Sequence, residues 1–193
     1  RASDLEQIPL HVQEAVLAAE DRGFYDHGGI SPISIARAAV NNVFGSGPWM
    51  QGGSTITQQY AKNAFLTQER TWKRKIKEAL LAFKLETLVS KEQILEDYLN
   101  IAFFGRDAYG IEAAAMAYFN KPIQNVTFSE GAVLAAIMNN PGRLNPEENM
   151  STLRGRWQYV LDGMLGQGWI TETEYHSAQF PEIAQRQAGN RLG

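Results

Sequence analysis

The chain reads as a mainly α protein, and three observations predict it. Apolar residues recur at helical spacing in segment after segment, Ser or Thr stands three positions before Glu or Gln at several segment starts, and alternation suited to strands is nearly absent. Its 193 residues are 44% hydrophobic, 20% charged and 10% aromatic, the composition of an ordinary globular domain with a sizeable core. A net charge of −3 argues against a nucleic-acid partner. The absence of cysteine excludes disulfide scaffolds, thiolate metal sites and thiol catalysis. No apolar run approaches the length of a membrane span, and the chain starts at Arg1 with neither an initiating Met nor an apolar leader, so it reads as a piece of a longer protein.

Taken in order, Pro9 suits a first helical position, and Val12, Ala15, Val16 and Ala19 mark an apolar stripe running to about Asp21. A second helix fits 31–43. The stretch 44–53 holds five Gly or Pro in ten residues and reads as a loop. A short helix over 55–64 precedes a long one over 71–89 with Trp72, Ile76, Leu80 and Phe83 on one face. Ser90 with Gln93, Thr127 with Glu130 and Thr171 with Glu174 form capping-box patterns, the first two opening helices through Asn100 and Asn139. Residues 101–104 look extended, 141–146 read as a loop, and 153–165 as one more amphipathic helix. These assignments give a folded domain over 1–180, with 181–193 a linker or frayed C-terminal segment.

Two clusters could do chemistry. Glu20 lies four positions after Val16 and eight after Val12, at the edge of the apolar stripe, where partial burial raises a carboxyl pKa and makes a general base. Asp21, Arg22 and His27 follow it; read structurally, the group is a helix end with a salt-bridged rim. The second cluster is Arg70, Lys73, Arg74, Lys75 and Lys77, with Glu78 one turn after Arg74. It is either a solvated basic face or an anion site able to hold a diphosphate. Between them, Gly52 and Gly53 precede a Ser/Thr-rich helix start, with Ser54, Gln58 and Lys62 on one face.

Together these segments resemble a known family. Glu20-Asp-Arg-Gly-Phe-Tyr-Asp-His27, Gly53-Ser-Thr-Ile-Thr-Gln-Gln59 with Lys62-Asn63, Arg74-Lys-Ile-Lys-Glu-Ala79 and Lys91-Glu-Gln-Ile-Leu-Glu-Asp-Tyr-Leu-Asn100 are similar to the first four motifs of the peptidoglycan glycosyltransferases, and Gly110-Ile-Glu-Ala-Ala-Ala-Met-Ala-Tyr-Phe119 is similar to the fifth. The chain resembles the family 51 glycosyltransferase module of bifunctional class A penicillin-binding proteins, and less a monofunctional enzyme.

The resemblance implies a lysozyme-like, two-lobed helical fold, a globular head with a membrane-touching jaw. It implies an inverting transfer that joins lipid-linked disaccharide-peptide to a growing glycan chain through β-1,4 bonds, with release of undecaprenyl diphosphate. Glu20 would be the base and Glu78 the second catalytic carboxylate. Lys62, Arg74 and Lys75 would neutralise the diphosphate; Ser54, Gln58 and Gln59 would line the cleft, with Asp21, Arg22 and His27 beside it and Asn100 orienting neighbours. It further implies an adjoining transpeptidase domain, inhibition by moenomycin-type phosphoglycolipids, and a place on the extracytoplasmic face of the bacterial cell membrane. Val43, Phe44, Trp49 and Met50 within 40–50 either touch that membrane or fold into the core. The residues themselves indicate no cofactor; divalent metal dependence within the family makes Mg or Mn the ion to consider. The competing readings are a lysozyme-like hydrolase or lytic transglycosylase, which has no use for cations around its site, and a non-enzymatic glycan-binding module, which needs neither Glu20 nor Glu78.

Overall fold

The computed structural model describes residues 2–30, 53–66 and 71–186. Within them, eight α-helices and two short 3-10 turns account for the regular structure, and the only strand-like pairing is an isolated antiparallel bridge between Phe103 and Tyr109. The expected helix over 31–43, the loop after it and the 40–50 membrane stretch lie outside the described residues, as does Arg70.

The core is built around α1 (Leu10–Glu20), α6 (Phe128–Asn139) and α7 (Pro146–Gly166), which pack against one another in pairs. Close approach is possible because the facing residues are small. Ala15, Ala18 and Ala19 of α1 and Ala132, Ala135 and Ala136 of α6 are all buried, and a Cβ on Gly131 would stand 3.0 Å from Val12. Residues 130–137 are buried without interruption, so α6 is the central helix, apolar on every side. The stripe read on α1 is accordingly wider than expected, because Leu17 and Ala18 are buried too. Around this centre lie α4 (Lys91–Ile101) and α5 (Ile111–Phe119); Gly110, at φ +87°, passes so close to the Asn100 carbonyl that a Cβ would sit 2.7 Å from its oxygen.

Most helix starts follow the sequence signals, though α1 starts just after Pro9 and α5 follows Gly110 with no side-chain cap and no signal read from the sequence. Thr127/Glu130 and Thr171/Glu174 form complete capping boxes, opening α6 and α8 (Glu172–Ser177). Ser90 accepts from the Gln93 backbone, but the Gln93 side chain donates instead to Glu96 and Asp97, so that box is half made. Helix α7 begins seven residues before Leu153: Pro146 occupies its first turn, Asn145 caps it, and a non-helical Asn149 (φ −136°, ψ 46°) separates this turn from the long helix.

The larger departure concerns α3 (Trp72–Leu88), which packs against α2 (Ile56–Phe65). The apolar face read for it points away from the core: Ile76, Leu80 and Phe83 are 61%, 66% and 62% exposed. The face turned inward carries Glu78 and Ala82. Periodicity located the face without saying which neighbour it meets, and the inner side combines Ala82 and half-buried Leu81 and Leu85 with polar ties. Thr57 donates to Glu86 at 2.5 Å, Lys91 donates to the same oxygen at 2.7 Å, and Gly29 lies against the backbone of Ala82 and Phe83.

At the C-terminal end, residues 178–186 lie on the head. Phe180 meets Trp157 edge-to-face, the Ala184 N–H donates to the Tyr118 carbonyl, and Arg106 donates to the Ala184 carbonyl. The expected linker therefore keeps head contacts through its first residues; 187–193 lie outside the described residues.

Candidate active site

Glu20 is the last residue of α1 and is buried. Its carboxylate accepts from Gln59 Nε2 of α2 at 2.9 Å and from Asn139 Nδ2 of α6 at 3.0 Å. The Gln59 amide is oriented in turn by Tyr98 of α4, whose hydroxyl donates to Gln59 Oε1 at 2.9 Å. From α7, Arg156 Nη2 stands 3.7 Å from Glu20 Oε1. Burial raises the Glu20 pKa above its ordinary value, while Gln59, Arg156 and Asn139 oppose the rise. A desolvated carboxylate held by amide donors suits proton acceptance.

Asp21, also buried, turns away from this cradle. It accepts from His27 Nε2 at 2.8 Å and from the Ile56 N–H, in the first turn of α2, at 3.1 Å. Asp21 and His27 thus fix the start of α2 relative to the end of α1. Arg22 folds back to donate to the Ala18 carbonyl and lies over the Tyr159 ring.

Helix α2 joins Glu20 to the second cluster. Thr55 and Gln58 close a capping box at its start, which puts Gln58 into the buried junction, and one residue earlier Ser54 accepts from Lys75 Nζ at 2.6 Å. Lys75 also donates to Glu78 Oε1 at 2.5 Å, and Arg74 Nη1 donates to Glu78 Oε2 at 2.7 Å. Buried Glu78 therefore anchors two cations, the Arg before Glu arrangement serving a cluster rather than a lone helix pair. Lys62 is half-buried on α2 one turn beyond Gln58, whereas Lys73 and Lys77 of α3 are exposed.

The structure thus brings together Glu20, Gln59 and, through α2, Ser54, Lys75, Arg74 and Glu78. Asn100 stands apart from them: its side chain pairs with both backbone groups of Ser3 and with the Glu96 carbonyl, tying the N-terminal segment to α4. Asn139, Tyr98 and Arg156 were not singled out from the sequence. Arg156 left a signal, since it falls on the buried face marked by Leu153, Trp157 and Val160.

Among the described residues, Asp21 and Glu78 do not fit a resident Mg or Mn ion. Both oxygens of Asp21 and both of Glu78 are occupied by donors of this chain, and no three His, Asp or Glu converge among the described residues.

Residues 1–165 match the transglycosylase family. Penicillin-binding protein 1A of Mycobacterium tuberculosis is 46% identical over 183 residues, covering 93% of this chain and 22% of that protein. The protein of the same name from Aquifex aeolicus is 48% identical over 174 residues, 90% of this chain and 24% of its own length. The chain therefore spans about a quarter of the length of these relatives. A crystal structure of penicillin-binding protein 1A from Haemophilus influenzae superposes with a TM-score of 0.58 at 23% identity, over 97% of this chain and 18% of that one. That likeness establishes the fold, the mainly helical, lysozyme-like one.

Proposed function

This chain belongs to the transglycosylase family, and we propose that it polymerises peptidoglycan glycan from lipid-linked disaccharide-peptide. Glu20 takes the proton from the 4-hydroxyl of the incoming unit. The freed oxygen lone pair forms a bond to the anomeric carbon at the reducing end of the growing chain. The bond from that carbon to the diphosphate oxygen breaks, the electron pair leaves with the lipid diphosphate, and attack from the opposite face turns α into β.

The observation that carries this reading is the contrast between the two carboxylates. Glu20 is desolvated and held only through amide donors and one guanidinium, as a base should be. Glu78 is saturated by Arg74 and Lys75, so its part is to hold those cations where a departing diphosphate needs them, with Lys62 adding a third. Ser54 fixes the Lys75 ammonium, and Gln58, Asp21, Arg22 and His27 hold the junction around them; Asn100 acts from farther away through the N-terminal segment.

The same reading places the chain at the extracytoplasmic face of the bacterial membrane, joined to a transpeptidase domain and open to moenomycin-type phosphoglycolipids. Among the described residues no helix is long and apolar enough to cross a membrane. The deciding experiment follows two products of one preparation: glycan polymer from labelled lipid-linked disaccharide, and soluble muropeptides from purified sacculi. Polymer without muropeptides is expected. Muropeptides without polymer would overturn the transferase in favour of a lysozyme-like hydrolase.

A further inference from the structure

Glu20 stands at the C-terminus of α1, the end of a helix where a negative charge is least welcome. Burial adds to the disadvantage. Asp21 follows directly and adds a second negative charge. Among the described residues, the remaining groups facing the carboxylate are Gln59 from α2, Tyr98 behind Gln59 from α4, Asn139 from α6 and Arg156 from α7. Of these only Arg156 is a cation.

Arg156 is 1% exposed, so it is not placed to meet a substrate. Its Nη2 donates to the Ala19 carbonyl at 3.0 Å, in the last turn of α1, and its guanidinium lies 4.4 Å from the centre of the Tyr159 ring. Arg22 approaches the same ring and donates to the Ala18 carbonyl. Two guanidinium groups therefore cover the negative end of α1, and the one nearer Glu20 is wholly buried. Arg156 Nε has no hydrogen-bond partner, and a buried donor left unmade carries a penalty. A side chain kept only for packing would need neither the charge nor that penalty.

We propose that Arg156 is a positioning residue for Glu20, supplying from α7 the positive charge that a buried carboxylate at a helix C-terminus lacks and fixing the end of α1 that carries it. The inference rests on Glu20 being the base, and its test separates the two. Arg156→Gln removes the charge and, two bonds shorter, gives up the Ala19 bond as well; Arg156→Lys keeps the charge on a different shape. The Glu20 carboxyl is followed by ¹³C NMR against pH, its resonance assigned by its loss in Glu20→Gln, and kcat/KM for polymerisation is measured over the same range.

The titration midpoint of Glu20 should move upward in Arg156→Gln and less in Arg156→Lys. The acidic limb of kcat/KM should move with it, so that the ratio of the rate at pH 6 to that at pH 8 falls several-fold. A midpoint that moves while the rate profile stays fixed would uphold the pairing and remove Glu20 as the base. A midpoint unmoved in both variants would overturn the proposal. A thermal double-mutant cycle of Glu20→Gln with Arg156→Gln needs no activity: losses smaller in the double variant than the sum of the singles support the pairing, and losses that simply add refute it.

Discussion

Replacing Glu20 by Gln exchanges two acceptor oxygens for one acceptor and one donor, in a cradle built entirely of donors. Gln59 Nε2 and Asn139 Nδ2 both point at the carboxylate, and Gln59 is oriented by the Tyr98 hydroxyl, which donates to its oxygen. The new amide keeps its oxygen toward Gln59 and turns its NH2 toward Asn139, where N–H meets N–H at about 1–3 kcal/mol unless the exposed Asn139 inverts its own amide. Arg156 simultaneously loses the opposite charge 3.7 Å away. Relief from burying a charge works in the other direction, but the three groups that oppose the raised pKa of Glu20 already offset part of that burden. The donor conflict should win, lowering the melting temperature by roughly 2–12 °C at two to four degrees per kcal/mol for a domain of this size. Turnover should fall at least about a hundredfold, the lower bound for losing a general base.

The pH dependence has a definite sign. The Glu20 pKa is raised above 4.5 in the folded state, so the native protein holds this proton more tightly than the unfolded chain. That contribution is fully present below the unfolded value and is lost as pH rises through the folded one. The gap in melting temperature between parent and Glu20→Gln should therefore be widest in acid and narrow as pH rises. Differential scanning calorimetry between pH 4 and 8, with polymerisation assayed alongside, provides the measurement. A variant as stable as the parent at every pH would refute the donor cradle, and near-normal polymerisation would refute the base.

Further outcomes follow from other contacts. Gly29→Ala would bring a Cβ within 2.7 Å of the Ala82 carbonyl group, backbone that has little room to yield; a loss of about 1–3 kcal/mol is expected in a denaturant melt. Lys62→Ala and Arg74→Ala should each weaken moenomycin binding more than Lys73→Ala or Lys77→Ala, whose side chains are exposed; calorimetric titration gives the ranking, and equal small losses would mean a solvated face only. Burial would raise the Glu130 pKa, but bonds from Lys121 and Thr127 lower it on balance. Its contribution is therefore present above the unfolded pKa and lost as pH falls through the folded one, so Lys121→Met should reduce stability near neutrality and leave it little changed in strong acid, as urea melts at pH 3 and 7 would show.

What the sequence made legible was local. Thr127 with Glu130 and Thr171 with Glu174 are closed within four residues, so they could be read directly, and both boxes form. Ser90 with Gln93 satisfies the same pattern, yet Gln93 has better acceptors one turn on in Glu96 and Asp97. The helical class likewise needed only spacing, whereas spacing made Glu20 a candidate only and the family resemblance gave it its role. Partners contributed from distant segments could not be read: Asn139 lies 119 positions from Glu20 and Arg156 reaches the Ala19 carbonyl across 137. The direction of the α3 stripe could not be read for a related reason, since an apolar stripe announces that a face exists but not which neighbour meets it.

The outward stripe of α3 bears on how the site is built. A helix with Ile76, Leu80 and Phe83 exposed and Glu78 buried gains less from apolar burial, its inner side offering Ala82 with half-buried Leu81 and Leu85. It is held by directional bonds: Ser54 to Lys75, Lys75 and Arg74 to Glu78, and Thr57 and Lys91 to Glu86. Such bonds contribute only modestly to stability each, but they fix distance and angle far more tightly than a greasy contact does. Glu20 has the opposite setting, at the edge of a core packed from alanines and glycine that leaves its helix no slack. The two carboxylates thus obtain different chemistry from different surroundings, one desolvated so that it takes a proton, the other surrounded by cations so that it presents them. Because the N-terminal end of α2 is bonded to both, through Gln59, its fourth residue, and through Ser54 just before its cap, a disturbance at either cluster should be felt at its partner.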